Sequence, residues 1–210
     1  MKTNQDYKNA ALAALKGNWK PAVLATLAMM AIAVAASLLV EMESSVLVLL
    51  GFTVTFLVSM PLSVGIYAAV RKLYAGGDAR LTENMFGVAF GNWTHNMGGM
   101  LLMALYTFAW TLLLIVPGLI KAFAYAMTPF ILNDKPELSA DEAIELSMKM
   151  MDGHKLDLFI LELSFIGWYI LGLFTFCIGY LWLVPYECTA IAAFYEDVKA
   201  EYEAKQQVAA

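Results

Sequence analysis

The sequence predicts an all-α, polytopic membrane protein, a single helical bundle of about six transmembrane helices arranged as three hairpins. Of its 210 residues, 61% are hydrophobic and 15% are charged, and the mean hydropathy is +0.67. A soluble domain of this length could not bury that much apolar surface. The apolar residues also form long uninterrupted runs, and the basic residues lie between those runs. Lipid is therefore the predicted solvent for most of the chain.

The first predicted unit, residues 3–78, begins with a helix from Thr3 to Lys16 that carries its polar and apolar residues on different sides. A first span from Pro21 to Val40 follows, and we expect it to stay in the mature chain because it is long enough to cross the bilayer. An outer loop that includes Glu43 leads to a second span, Val46 to Val70.

The second unit, residues 82–134, has the same order. Thr82 is expected to cap a short helix, and an apolar run from Met97 to Leu132 follows it. At about 1.5 Å per residue, one straight helix of this length would exceed a hydrocarbon core of about 30 Å. The run is therefore predicted to fold back at Pro117-Gly118.

The third unit, residues 139–197, opens with a capping box in which Ser139 and Glu142 satisfy each other's backbone N–H groups. The resulting helix is expected to lie on the cytoplasmic membrane surface. The apolar run from Leu156 to Phe194 must again bend, and Thr175–Gly179 is the predicted place. Residues 198–210 form a charged cytoplasmic tail.

These units indicate three pseudo-repeats, each with an interfacial amphipathic helix, a span, a proline and a second span rich in small residues. Pro61, Pro117 and Pro185 are the corresponding prolines. The alternative is a chance alignment of the kind that alanine-rich membrane helices readily produce. Six spans place every Lys and Arg except Lys121 on one side, which predicts that both termini are cytoplasmic. The net charge of −5, without a basic stripe, argues against a nucleic-acid partner.

Several motifs in combination resemble the bacterial integral-membrane family catalogued as domain of unknown function 975, with a weaker similarity to the membrane domain of some glycerophosphodiester phosphodiesterases. The resemblance implies a multi-pass protein of the bacterial cytoplasmic membrane. It implies no catalytic residue, because the family's activity is uncharacterised. The motifs are Ile115-Val116-Pro117-Gly118, residues 125–132, residues 150–155, residues 163–168, Pro185-Tyr186 and residues 194–197.

Three ionisable residues fall inside predicted spans and form a candidate intramembrane polar site: Lys121, Glu162 and Glu187. A charge in hydrocarbon is costly, so such residues normally face the bundle interior and have a partner. Lys121 and Glu187 follow prolines at similar predicted depth, and we expect them to pair near the outer ends of their spans. The residues either fix helix order or line a substrate or ion pathway.

Other chemistry is sparse. His95 and His154 follow helix breaks at the predicted interface, without the spacing of metal ligands, and we interpret them as interfacial polar residues. Cys177 and Cys188 lie near the outer hairpin, where we expect apolar packing rather than a disulfide. The sequence contains no nucleophile elbow, phosphate loop or zinc-protease helix. We therefore expect neither enzyme activity nor a catalytic residue, metal or cofactor.

Two functions follow from these observations. In the first, the protein is a non-enzymatic scaffold that interacts with membrane lipids or with other membrane proteins. In the second, it is a small transporter or transporter subunit that uses Lys121, Glu162 and Glu187. The large share of polar sequence in interfacial helices favours the first.

Overall fold

The computed structural model describes residues 2–41 and 44–209, and this part of the chain is helical with no strand. Glu43 of the predicted outer loop and the last residue of the predicted tail lie outside the described residues. The all-α fold class is confirmed. The helices are α1 Asn4–Leu15, α2 Trp19–Val40, α3 Ser45–Val54, a π-helical segment Thr55–Ser59, α4 Met60–Gly76, α5 Leu81–Gly91, α6 Trp93–Leu113, α7 Ile115–Tyr125, α8 Thr128–Asp134, α9 Ala140–Met150, α10 Lys155–Leu163, α11 Ile166–Phe174 and α12 Tyr180–Ala209.

Within residues 2–41 and 44–209, five helical segments are long and apolar enough to cross a membrane, and they define a multi-pass membrane protein. The predicted sixth span is the first half of α12, which is not among the five. Its apolar stretch of about 16 residues would measure only ~24 Å, less than the ~30 Å of a hydrocarbon core. The five segments are Trp19–Val40, Ser45–Gly76, Trp93–Leu113, Ile115–Asp134 and Lys155–Phe174.

Three short helices, α1, α5 and α9, precede the three hairpins. Capping boxes begin α1, at Thr3 and Asp6, and α9, at the predicted Ser139 and Glu142. The predicted cap at Thr82 is wrong, because α5 begins one residue earlier. The turn before α5 is organised instead by the Asp78 carboxylate, which accepts hydrogen bonds from the backbone of Arg80 and the side chain of Asn84.

The hairpin bends differ from the predicted ones in detail. The second hairpin turns at Leu114, three residues before Pro117, and Leu114 has extended backbone angles. The third turns around Phe176 and Cys177, which have φ values of 51° and 65°. Left-handed backbone at two successive residues other than glycine is uncommon and strained. The predicted first arm of this hairpin is further divided into α10 and α11.

The core lies where α1, α4, α5, α8 and α12 meet. The rings of Phe130 and Tyr195 stack with centroids 4.7 Å apart, and Tyr7 contacts Phe194 edge-on at 5.5 Å. At Gly65, an added Cβ would lie 2.2 Å from the carbonyl oxygen of Met85, so α4 and α5 require glycine there. Such close backbone approach is how helices associate in lipid.

Beyond this core lies a set of ion pairs that we call the polar base, made of Arg71, Asp134, Glu196 and Lys199. The Asp134 carboxylate accepts hydrogen bonds from Arg71 and Lys199, each at 2.6 Å, and from the Tyr195 hydroxyl at 2.9 Å. Arg71 also pairs with Glu196. The polar base therefore joins the end of α8 to the C-terminal half of α4 and the middle of α12.

Candidate functional site

A cavity of about 440 Å³ with mostly apolar walls lies between the α1–α2 junction and the hairpin of α11 and α12. We call it the apolar groove. Its walls contain three tryptophans and several aliphatic side chains, and few polar atoms face it. The lining residues are Leu12, Trp19, Trp168, Leu171, Gly172, Thr175, Gly179, Trp182, Leu183 and Tyr186.

Two glycines shape the closed end of the groove. A Cβ on Gly172 would lie 2.4 Å from the ring of Tyr180, and one on Gly179 would lie 2.8 Å from the Thr175 hydroxyl oxygen. The arms can therefore approach closely at the turn. The Thr175 hydroxyl donates to the Gly172 carbonyl and accepts from the Gly179 N–H. Because both hydrogen bonds are internal, the hydroxyl presents little unsatisfied polarity to the groove.

The groove opens sideways to the surroundings of the protein. Leu171 is 58% exposed and Trp168 is 55% exposed, although both are large apolar side chains on its wall. Such a surface suits hydrocarbon rather than water. Lys16 and Lys20, which flank the lining residue Trp19 in the chain, are exposed. We call these two lysines the cationic rim.

Two of the three predicted polar residues, Glu162 and Glu187, lie in the third hairpin within electrostatic range of each other. Their carboxyl groups interact electrostatically with each other, and Tyr67 interacts with both. The Tyr169 hydroxyl donates a hydrogen bond to Glu187. We call these four residues the acidic cluster. Among the residues that the structure describes, no Lys, Arg or His forms an ion pair with either carboxylate.

The predicted pair of Lys121 with Glu187 is wrong. The Lys121 ammonium lies 5.0 Å from the centroid of the Trp110 ring and 3.6 Å from the Met148 sulfur, so it faces α6 and α9. Glu187 instead faces Tyr169. Lys121 and Glu187 therefore face different neighbouring helices.

The acidic cluster adjoins the groove through Tyr180. The Tyr180 hydroxyl donates to the Tyr169 carbonyl at 3.2 Å, and the Tyr180 ring is the group that excludes a side chain at Gly172. The groove was not predicted from the sequence. A usable signal was present, because Trp168, Gly172 and Thr175 recur about one helical turn apart and lie opposite Trp182.

Of the remaining candidates, His154 has polar partners, whereas the buried Nε2 of His95 has no hydrogen-bond partner within the described residues. His154 lies 3.2 Å from the Glu201 carboxylate and 3.4 Å from that of Asp157, at the N-terminus of α10. Cys177 and Cys188 are both free thiols. Within residues 2–41 and 44–209, no three His, Cys, Asp or Glu residues are grouped to hold a metal ion. Lys8 donates to the Ser164 carbonyl, and partial burial lowers the pKa of its ammonium.

The fold and the groove define a helical, multi-pass membrane protein with a lateral apolar site. Residues 111–202 match the model of the family described as protein of unknown function (DUF975), which confirms the resemblance found in the sequence. The matched segment contains the acidic cluster except Tyr67, and most of the groove. No curated protein and no solved structure matches the chain.

Proposed function

We propose that this protein is a non-enzymatic lipid-binding scaffold of the bacterial cytoplasmic membrane, with both termini in the cytoplasm, and that the apolar groove holds an acyl chain of a phospholipid. The observation that carries the proposal is the lateral opening of a groove with apolar walls. A water-soluble substrate would need polar groups that converge on it, and Thr175 already satisfies its hydrogen bonds within the wall.

The volume of the groove is suitable for one acyl chain of a lipid. Its 440 Å³ falls within the range of about 300–1,000 Å³ that ligand sites occupy. Each methylene buried against the walls contributes about 0.8 kcal/mol relative to water. In a membrane the free energy gained by burying the acyl chain in the groove is smaller, because the chain leaves an environment of other lipid chains rather than water. The selectivity of binding therefore depends on the shape of the groove and on the headgroup.

The cationic rim supports an anionic headgroup. Lys16 and Lys20 are exposed beside Trp19, a residue type that concentrates at membrane interfaces. Basic side chains near an anionic leaflet contribute about 1 kcal/mol each. A phosphatidylglycerol molecule would place its chain between Trp168 and Trp182 and its phosphate near the two lysines.

Photo-crosslinking tests the proposal. Purified protein in nanodiscs receives phosphatidylglycerol with a diazirine on one chain, and the adducts are mapped by mass spectrometry. We expect adducts on α11 and α12 of the groove, and Leu171→Trp should reduce them several-fold by filling it. Leu173→Trp is the matched control, because Leu173 is a similarly exposed leucine of α11 that does not line the groove. Equal adducts in both variants would refute the proposal.

A second function, transport, is favoured by the acidic cluster alone. Glu162 and Glu187 lie together without a basic partner among the described residues, and intramembrane carboxylates of this kind mark proton and ion paths in transporters. Lys121 does not contribute, since it faces α9. Proton uptake by liposomes that depends on Glu162 would support this alternative.

A further inference from the structure

The turns of the three hairpins differ in chemistry. The first hairpin, α2 and α3, turns at Glu41 and Ser44, whose polar side chains are compatible with an aqueous environment. The second, α6 and α7, turns at five successive aliphatic residues, each between 66% and 76% exposed: Leu112, Leu113, Leu114, Ile115 and Val116. The third turns at Phe176, which is 92% exposed. Turns that expose so much apolar surface belong in hydrocarbon.

The backbone of the third turn is adapted to hydrocarbon as well. Each N–H from residue 175 to residue 180 donates a hydrogen bond to a carbonyl or to the Thr175 hydroxyl within the same turn. Because these N–H groups are already paired within the turn, none of them would be left without an acceptor in hydrocarbon, which lowers the cost of placing the turn there. In the second turn, the Leu114 N–H donates to the Trp110 carbonyl, and Pro117 carries no N–H.

Helix α9 marks the membrane surface on the second hairpin. It lies beside the middle of that hairpin, because the Tyr106 hydroxyl donates to Asp141 at 2.9 Å and the Lys121 ammonium lies 3.6 Å from the Met148 sulfur. The outer side of α9 is charged and exposed: Asp141, Glu142, Glu145 and Lys149. Such a side requires water or headgroups, and hydrocarbon would exclude it.

The hairpin beyond α9 is too short to reach the opposite surface. From Tyr106 to Leu114 the helical rise is about 12 Å, and from Lys121 back to Leu114 it is about 10 Å. The hydrocarbon core measures about 30 Å. With α9 at one surface, the aliphatic turn ends inside the nearer leaflet.

The third hairpin is similarly short beyond its contact with α1. The Lys8 ammonium lies 2.8 Å from the Ser164 carbonyl and 4.5 Å from the centroid of the Phe165 ring. Lys8 belongs to α1, on the side that the basic residues identify as cytoplasmic. From Phe165 to Phe176 the helical rise is about 16 Å, again about half of the core.

We propose that the second and third hairpins are re-entrant: both enter from the cytoplasmic side and turn back within the inner leaflet, whose acyl chains are the partner of their exposed apolar surface. The first hairpin, whose turn carries the polar residues Glu41 and Ser44, is then the one left to cross the bilayer, so the predicted six spans become two. The inference goes beyond lipid binding in the groove, since it holds whether or not the groove is occupied.

Single-cysteine variants of the full chain test the proposal in intact cells and vesicles. Cys188→Ala leaves Cys177 as the reporter of the third turn. Cys177→Ser with Cys188→Ala provides the background for Leu114→Cys in the second turn and for Glu41→Cys, the matched control in the first. Each thiol is labelled after solubilisation to show that the protein is folded and reactive, and Leu113→Cys replaces Leu114→Cys if that variant is unstable.

A membrane-impermeant maleimide added outside intact cells should label the variant with Glu41→Cys alone. In reconstituted vesicles, a nitrobenzoxadiazole dye on residue 114 or 177 should be reduced by dithionite faster when the cytoplasmic face is outward, and the dye on residue 41 should show the reverse order. External labelling at 114 or 177, or faster reduction there when the periplasmic face is outward, would overturn the proposal.

Discussion

Tyr106 on α6 and Asp141 on α9 are joined by a hydrogen bond of 2.9 Å, which fixes the charged helix α9 against the middle of the second hairpin. We predict that this bond couples the two helices. Tyr106→Phe and Asp141→Ala should each lower the melting temperature in nanodiscs by a few degrees, and the double variant should lose less than their sum. As a control, Tyr106→Phe combined with Asp152→Ala should be additive. Additive losses for the first pair would contradict the contact.

A second prediction concerns the buried side of α9. Ile144 is buried at 1% exposure beside Ala124 and Tyr125, so Ile144→Asp would place a carboxylate in an apolar contact without a partner. We expect a loss of several kcal/mol and release of α9 to protease. Lys149→Asp introduces the same side chain on the exposed side, where the main loss is one surface ion pair with Glu145. Similar losses for both variants would mean that α9 is not docked.

The third prediction follows from the contacts of Lys121. Because Lys121 and Glu187 face different helices, Lys121→Met and Glu187→Gln should be additive in stability to within about 0.5 kcal/mol. Lys121→Met should instead be coupled to Trp110→Leu by about 0.5–1 kcal/mol, the usual strength of a cation–π contact. Double-mutant cycles on unfolding measure both. A strong coupling of Lys121 with Glu187 would restore the pair predicted from the sequence.

The fourth prediction concerns the polar base. Asp134→Asn would leave Arg71 and Lys199 without their shared carboxylate, and we expect a loss of about 2–3 kcal/mol. Asp78→Asn, in an exposed loop with its own arginine partner, is the control and should cost clearly less. Equal losses would show that the polar base does not hold α4, α8 and α12 together.

Much of the fold could be predicted from the sequence because apolar runs and capping residues are local signals. The capping box at Ser139 and a bend near Thr175–Gly179 are both present. Hairpin depth could not be predicted, because length and hydropathy are the same for a crossing and for a re-entrant arm. The depth of the second hairpin is inferred from its contacts with α9, such as that of Lys121 with Met148. The threefold repeat stays a prediction.

The candidate site was only half predictable for a similar reason. Glu162 and Glu187 are conspicuous as charges in apolar runs, and they lie within electrostatic range of each other. The groove depends on contact between α1 and the third hairpin, where Leu12 and Trp19 complete a wall begun by Trp168. Residues so far apart in the chain give no joint signal in a single sequence.

A structure determined in lipid nanodiscs would show directly whether the groove holds a lipid. Lipid binding predicts elongated density in the groove from Trp19 towards Thr175, with a headgroup near Lys16 and Lys20. The same density should be absent from the Leu171→Trp variant and present with Leu173→Trp. An empty or water-filled groove, with a continuous polar path reaching Glu162 and Glu187, would contradict lipid binding and favour transport.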